Sequence, residues 1–260
     1  MTDLDHATTA ASPSKFRRQL SDELIDLLRT AGVAVLAVVV LHTTLFQPFT
    51  IPSSSMEPGL VTGDYIVVSK FAYGWSGASP PIDLPFLHGR LFGRAPRRGD
   101  VVVFRLPRDP SQIWVKRLIG LPGDRVQVRQ GTVFVNGQPL VQTPQRLTQD
   151  HDDSARPVLE TREQLADGSS HILYDGGPNR EGDDTGVYVV PAGQYFMMGD
   201  NRDNSLDSRW PREVGGGFLP TENVLGQAEL VVAAWKPGSA FYKPWTWFSL
   251  QPDRFLLRIH

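Results

Sequence analysis

From residue 31 to residue 49 the sequence AGVAVLAVVVLHTTLFQPF is almost continuously apolar, with His42, two threonines and Gln47 as its polar interruptions. About nineteen residues at ~1.5 Å rise come close to crossing a hydrocarbon layer of ~30 Å. The pattern predicts an N-terminal transmembrane helix over residues 30–48, closed by Pro48. A buried core helix competes with this reading because the span is short. A cleaved signal peptide fits less well, since bulky Phe46, Gln47, Pro48 and Phe49 stand where a small-x-small cleavage pattern would be needed.

Beyond residue 50 the pattern changes. YIVVSKF, DVVVF, IWVKRLIG, RVQVRQGTVFVNG, GVYVV, QYFMMGD and NVLGQAELVVAAW are short apolar or alternating runs separated by Gly, Pro and Asp. Such runs read as strands, and no long amphipathic helix follows the apolar span. The expected fold class is mainly β, an antiparallel β-sheet domain behind a transmembrane helix. Residues 133–135 followed by Asn136-Gly137 read as a strand entering a tight turn. Residues 74–98, rich in Pro and Gly, and residues 142–184, polar and acid-rich, read as surface loops. The second of these is open to being an inserted lobe. The expected organisation is a tail over 1–29, an anchor over 30–48 and a folded domain over 49–260, with a β-rich insert or loop at about 125–190.

Charge adds an orientation. Lys15, Arg17, Arg18 and Arg29 precede the span, and no Lys or Arg occurs from Thr30 through Ser69. By the positive-inside rule the amino end faces the cytoplasm and everything after Phe49 lies outside it. The carboxyl end, AFYKPWTWFSLQPDRFLLRIH, carries Phe241, Tyr242, Trp245, Trp247 and Phe248 between basic residues. That mixture suits the headgroup region of a bilayer, and equally a last strand with core aromatics. A formal net charge of −2 gives no global basic field, so no nucleic-acid partner is expected. The absence of cysteine removes disulfides, thiolate zinc sites and cysteine nucleophiles.

The candidate chemistry begins just after the span, in FTIPSSSMEPGL. In an extended stretch Ser53 and Ser55 share one face and Ser54 points to the other, which suits a nucleophile beside an oxyanion donor. A serine triplet after proline is also a common turn. A serine needs a base. His6, His42 and His260 lie in the tail, the span and the terminus, and His88, His151 and His171 sit in loop-like surroundings. Lys116 lies inside a strand-like run with Trp114 and Leu118 on its face and Val115 on the other. Burial there would lower its pKa and free a neutral amine as a base, whereas an edge strand would let it snorkel to water. Asp203, Ser205 and Asp207 alternate like the opening of a calcium loop, but Ser208 and Val214 occupy the positions that need Gly and a bidentate acid. The run His151, Asp152, Asp153 could bind metal, although a solvated acidic loop is the commoner outcome. No metal or cofactor is expected.

Five blocks in order carry a resemblance: PSSSM from Pro52, GDYIVVSKFAYG from Gly63, RRGDVVVF from Arg97, VKRLIGLPGD from Val115 and MGDNRDNSLDSR from Met198. Their order and character resemble the boxes of bacterial type I signal peptidases, membrane-anchored proteases with a Ser-Lys dyad. The resemblance implies Ser55 as nucleophile, Lys116 as general base, and Ser53 with the Ser55 backbone N–H as the oxyanion hole. It implies that Ser205 orients the lysine and that Asp207 and Arg209 support the site. Ser54 stands where related enzymes often have Gly. Phe49, Ile51, Met56, Leu60, Trp114 and Val115 are the expected pocket walls, apolar enough to favour small residues at the cleavage position. The implied partners are signal peptides of exported preproteins and the lipid bilayer. The implied location is the bacterial inner (plasma) membrane, single-pass, with a periplasmic catalytic domain acting as a monomer. A dedicated peptidase of one secretion or conjugation system, or an inactive signal-peptide-binding homologue, would keep the same boxes.

Overall fold

The computed structural model describes residues 13–76, 90–91, 93–236, 238–239 and 243–259, without the side chains of 13–21, 39–44, 75–76 and 90–91. Residues 1–12 of the predicted 1–29 tail, most of the 74–98 loop with His88, and Phe241, Tyr242 and His260 lie outside them. The chain divides into two compact units, residues 1–42 and 43–260.

The first unit holds one helix, Pro13–Thr44. Proline suits a first helical position, where its missing N–H would have no partner. The helix thus reaches back into the predicted tail and stops before Pro48. Among its described side chains Leu27, Leu28, Val33, Val35, Leu36 and Val38 are exposed. Among the described residues no helix is long and apolar enough to cross a membrane; the expected span runs into residues 39–44, whose side chains are not described. Residues 46–48, read from sequence as the end of the span, belong instead to a strand, Phe46–Thr50. It pairs antiparallel with Asp64–Ser69.

The second unit is antiparallel β, as its short alternating runs predict. The main sheet runs in the order Phe46–Thr50, Asp64–Ser69, Val224–Ala234, Val101–Leu106, Asp109–Gly120, Gln194–Met198, Leu219–Pro220, with Leu257–Arg258 also against Val224–Ala234. Its strand Val101–Leu106 is apolar except at Arg105 because both faces are covered. Val101 and Val103 enter one buried cluster with Ile66 and Val231, while Val102 and Phe104 enter another with Leu118 and Met197. Ile119, Phe196 and Met198 join a third cluster with Val126 and Val133. That third cluster binds the main sheet to a small one, Tyr188–Val189, Arg125–Arg129, Thr132–Val135 and Gln138–Pro139. The Asn136-Gly137 turn behaves as read: both residues have positive φ, 54° and 81°, and Val135 pairs with Gln138.

The stretch 142–184, read as a surface loop or an inserted lobe, contains most of a three-stranded sheet, Val141–Gln149, Pro157–Gln164 and Ser170–Asp175. Its first strand is mostly solvent-exposed, so its side chains are polar and the hydrophobic signal of a strand is missing.

Candidate active site

The strand Asp109–Gly120 pairs along one edge with Val101–Leu106, where Lys116 faces Val102. Along the other edge it pairs with Gln194–Met198 only from Arg117 to Gly120. Lys116 therefore stands where that second edge opens. A cleft of about 960 Å³ follows the open stretch, lined by Gln112, Ile113, Trp114, Val115 and Lys116 on this side.

Ser55 reaches the same place from a turn of 3-10 helix, Ser54–Met56, entered from extended Ser53 (φ −147°, ψ 157°). Alternation along an extended strand is thus not what sorts the three hydroxyls, contrary to the sequence reading. The turn sorts them: Ser53 and Ser55 line the cleft, whereas Ser54 Oγ accepts a hydrogen bond from Nδ2 of Asn204 at 2.8 Å. Nζ of Lys116 lies 2.5 Å from Oγ of Ser55. Lys116 is 5% and Ser55 9% exposed, so the pair is almost removed from bulk water. Burial, the largest influence, brings the Lys116 pKa down to about 8, against the opposing carboxylates of Asp207 and Asp200. Nζ also lies 5.4 Å from the centre of the Trp114 ring, whose face attracts a cation.

The segment after Met198 braces both residues. The Asn201 N–H donates to the carbonyl of Ser55 at 3.2 Å. The Asp207 carboxylate accepts from Gly199 N at 3.0 Å and from Nε and Nη2 of Arg209, both at 2.9 Å. Burial alone would raise the pKa of Asp207, but Arg209 and these donors hold it below the usual carboxylate range. Asp207 is engaged in this way at both oxygens, while Asp203 accepts from Gly176 N at 2.6 Å through Oδ2 and its buried Oδ1 has no hydrogen-bond partner. Gly199 is required by packing: a Cβ there would run into Ser205 Oγ and lie 2.5 Å from the Ser55 carbonyl oxygen. Ser205 Oγ is buried with no hydrogen-bond partner, so the orientation of Lys116 by Ser205 that the resemblance implies is not a hydrogen bond in this arrangement.

A second ring of charge surrounds these residues. Arg117 holds Asp200 through two bonds of 2.7 Å, and Arg202 holds Glu163 through bonds of 2.9 and 2.5 Å. Buried His171 has Nε2 3.4 Å from Glu163 and 3.8 Å from Asp200. Burial, helped by Arg117, keeps its pKa well below the ordinary histidine value. The imidazole is therefore neutral, and it is not bonded to Ser55. His151 lies beside Asp152 and Glu57.

The expected pocket walls divide. Trp114 and Val115 line the cleft. Ile51, Met56 and Leu60 are buried in the core, with Phe49 packed against them. Sequence reading missed Gln112, Ile113 and Leu206 on the cleft wall, and Arg156 and Arg180 contributed by the stretch read as loop. The first two lie on the continuously exposed stretch of Asp109–Gly120, next in sequence to Trp114 and Val115, and that adjacency was the available signal.

The family model described as "Signal peptidase, peptidase S26" matches residues 24–235. The chain is 39% identical over 201 residues to the signal peptidase I of Rickettsia typhi, covering 74% of each. It is 36% identical over 210 residues to that of Rickettsia akari, covering 78% of this chain and 77% of the relative. A crystal structure of a signal peptidase I from Enterococcus faecalis shares 31% identity over 52% of this chain and 97% of its own, with a TM-score of 0.30, too low to bear on the fold.

Proposed function

The chain belongs to the signal peptidase family, peptidase S26, and from that membership we propose how its residues cut a signal peptide from an exported preprotein. It is a serine endopeptidase. Neutral Lys116 takes the proton of Ser55 as Oγ attacks the scissile carbonyl carbon. The oxyanion is held by the Ser53 hydroxyl and the Ser55 backbone N–H. Collapse expels the new amino terminus, which takes the proton from Lys116 and leaves an ester on Ser55. Lys116 then deprotonates a water that attacks the ester and restores the serine. Asp207 with Arg209 keeps the bracing segment in place, and Ser205 fills space beside the dyad. The observation that carries this reading is the 2.5 Å contact between a buried amine and a buried hydroxyl.

The substrate lies along the open edge of Asp109–Gly120 as an added strand, a mode in which main-chain bonds give affinity and side pockets give selectivity. Trp114 and Val115 favour a small residue at the cleavage position. The protein acts as a monomer on the outer side of the bacterial plasma membrane, anchored once by the helical part of the segment over 30–48, which ends at Thr44, with its amino end in the cytoplasm. Support comes from the absence of Lys and Arg from Thr30 through Ser69 and from exposed apolar side chains on the helix. Exposed Trp245, Trp247 and Phe248 beside Lys243 support contact with lipid headgroups.

Cleavage of several unrelated preproteins by the purified chain in detergent tests the function. Cleavage after small residues, abolished in Ser55→Ala and slowed about a hundredfold in Ser53→Ala, is expected from loss of the nucleophile and of one oxyanion donor at ~3 kcal/mol. Binding without cleavage in the unaltered protein would overturn it in favour of an inactive homologue.

A further inference from the structure

Two residues after the nucleophile, Glu57 is fully buried, and its Oε1 has no hydrogen-bond partner. Its Oε2 accepts from the backbone N–H of His151 at 3.1 Å. The charged groups that face it are two more acids, Asp150 and Asp152. A buried carboxylate with a bare oxygen among acids is unfavourable unless a proton or a metal cation joins it. The neighbouring turn is shaped to supply the rest of a binding site. Asp150 spends its oxygens within the protein: Oδ1 accepts from the N–H groups of Asp152 and Asp153 at 3.0 and 3.2 Å, and Oδ2 from Nδ2 of Asn201 at 2.9 Å. This fixes a tight turn that projects His151 and Asp152 together. Asp152 Oδ2 accepts from Thr62 Oγ1 at 2.5 Å, which leaves Oδ1, 3.9 Å from His151 Nδ1. One donor atom each from Glu57, His151 and Asp152 lies within 4.8 Å of the other two.

We propose that Glu57, His151 and Asp152 bind one divalent cation of zinc's class. Donors about 2.0–2.2 Å from a tetrahedral ion lie about 3.3–3.6 Å apart, so this group, spread over up to 4.8 Å, has to close by about an ångström, a movement open to the two exposed residues. One imidazole nitrogen with two carboxylate oxygens suits Zn²⁺ and disfavours Mg²⁺ and Ca²⁺, which prefer oxygen alone. A water completes the tetrahedron. The ion joins two parts of the chain, since Glu57 follows the Ser54–Met56 turn and the others lie at the end of the lobe strand Val141–Gln149. It stands apart from the Ser55 and Lys116 contact and takes no part in the chemistry proposed above. Its role is to clamp the lobe to the nucleophile turn.

The test is titration of the full, untagged, metal-stripped chain in detergent with Zn²⁺ alone, read by calorimetry and by melting temperature. One ion per chain and a rise in melting temperature are expected, with no response to Mg²⁺ at equal concentration. His151→Ala and Asp152→Ala, at exposed positions that leave the core intact, are each expected to weaken binding at least tenfold without changing the circular dichroism spectrum. Glu57→Gln is expected to weaken it similarly. No binding by the unaltered chain, equal binding of Mg²⁺, or Zn²⁺ affinity unchanged by His151→Ala and Asp152→Ala would each overturn the assignment. Because none of these readouts involves proteolysis, their failure leaves the Ser-Lys reading untouched.

Discussion

Lys116 is held where an ammonium is unfavourable. Its pKa of about 8 in the fold lies well below the 10.5 of a free lysine, a difference worth roughly 3 kcal/mol between the two protonation states. Below pH 8 the amine is protonated in both folded and unfolded chains and the fold bears the full penalty. Between about 8 and 10.5 the unfolded chain holds a proton that the folded one has released, so stability rises with pH across this window. Lys116→Met keeps the volume and removes the charge. It is expected to abolish cleavage and to raise unfolding free energy at pH 7 by up to about 3 kcal/mol, a gain that shrinks to nothing above about pH 10.5, as denaturant melts at several pH values would measure. Equal stability of the two proteins at pH 7 would argue against the buried amine. At this scale the sequence was informative where a residue sits in a distinctive block, as Ser55 and Lys116 do. It was silent where a residue acts through space: nothing in the spacing of Arg156 or Arg180 says that they line the same cleft as Ser55.

Elements place these residues through where pairing stops. Gln194–Met198 covers the Asp109–Gly120 strand up to Arg117 and no further, so the chain beside Lys116 is left open for a substrate. The segment that follows must then pass tightly under the nucleophile turn, which is possible only with glycine at position 199. Gly199→Ala forces backbone and Ser205 apart. An expected loss of about 1–3 kcal/mol in stability should accompany a larger fall in kcat than in KM, because the dyad is displaced while the open edge is kept; kinetics on a peptide substrate would separate the two. Strands buried on both faces, such as Val101–Leu106, were legible as continuous apolar runs. Val141–Gln149 was not, because an exposed strand has no core to specify its side chains. The boundary at Phe46 was misread for the opposite reason: Phe46 and Phe49 are apolar enough to extend the apolar run, yet they pair with Asp64–Ser69.

For the whole molecule, the proposed relation to a bilayer rests on charge and aromatic placement. Basic residues cluster before position 30 and disappear until Lys70, while Trp245, Trp247 and Phe248 are exposed near the other end. A reporter active only outside the cytoplasm, fused after residue 260, is expected to be active; a silent reporter on a folded, proteolytically competent product would reverse the proposed orientation. The antiparallel β class was legible because its evidence is local, in period and turn chemistry. The joining of a polar lobe to the dyad through Glu163 and Arg202 was not, since a buried ion pair between distant segments leaves no periodic trace.

The account depends most on Lys116 acting as an uncharged base on Ser55. The most direct measurement is the pH dependence of kcat/KM for a signal-peptide substrate under conditions where the protein stays folded. Activity is predicted to rise about tenfold per pH unit through the acid range and to level near pH 8, where the buried amine loses its proton. A rate independent of pH from 6 to 10, or a rise centred near 6.5 as a histidine would give, would contradict it.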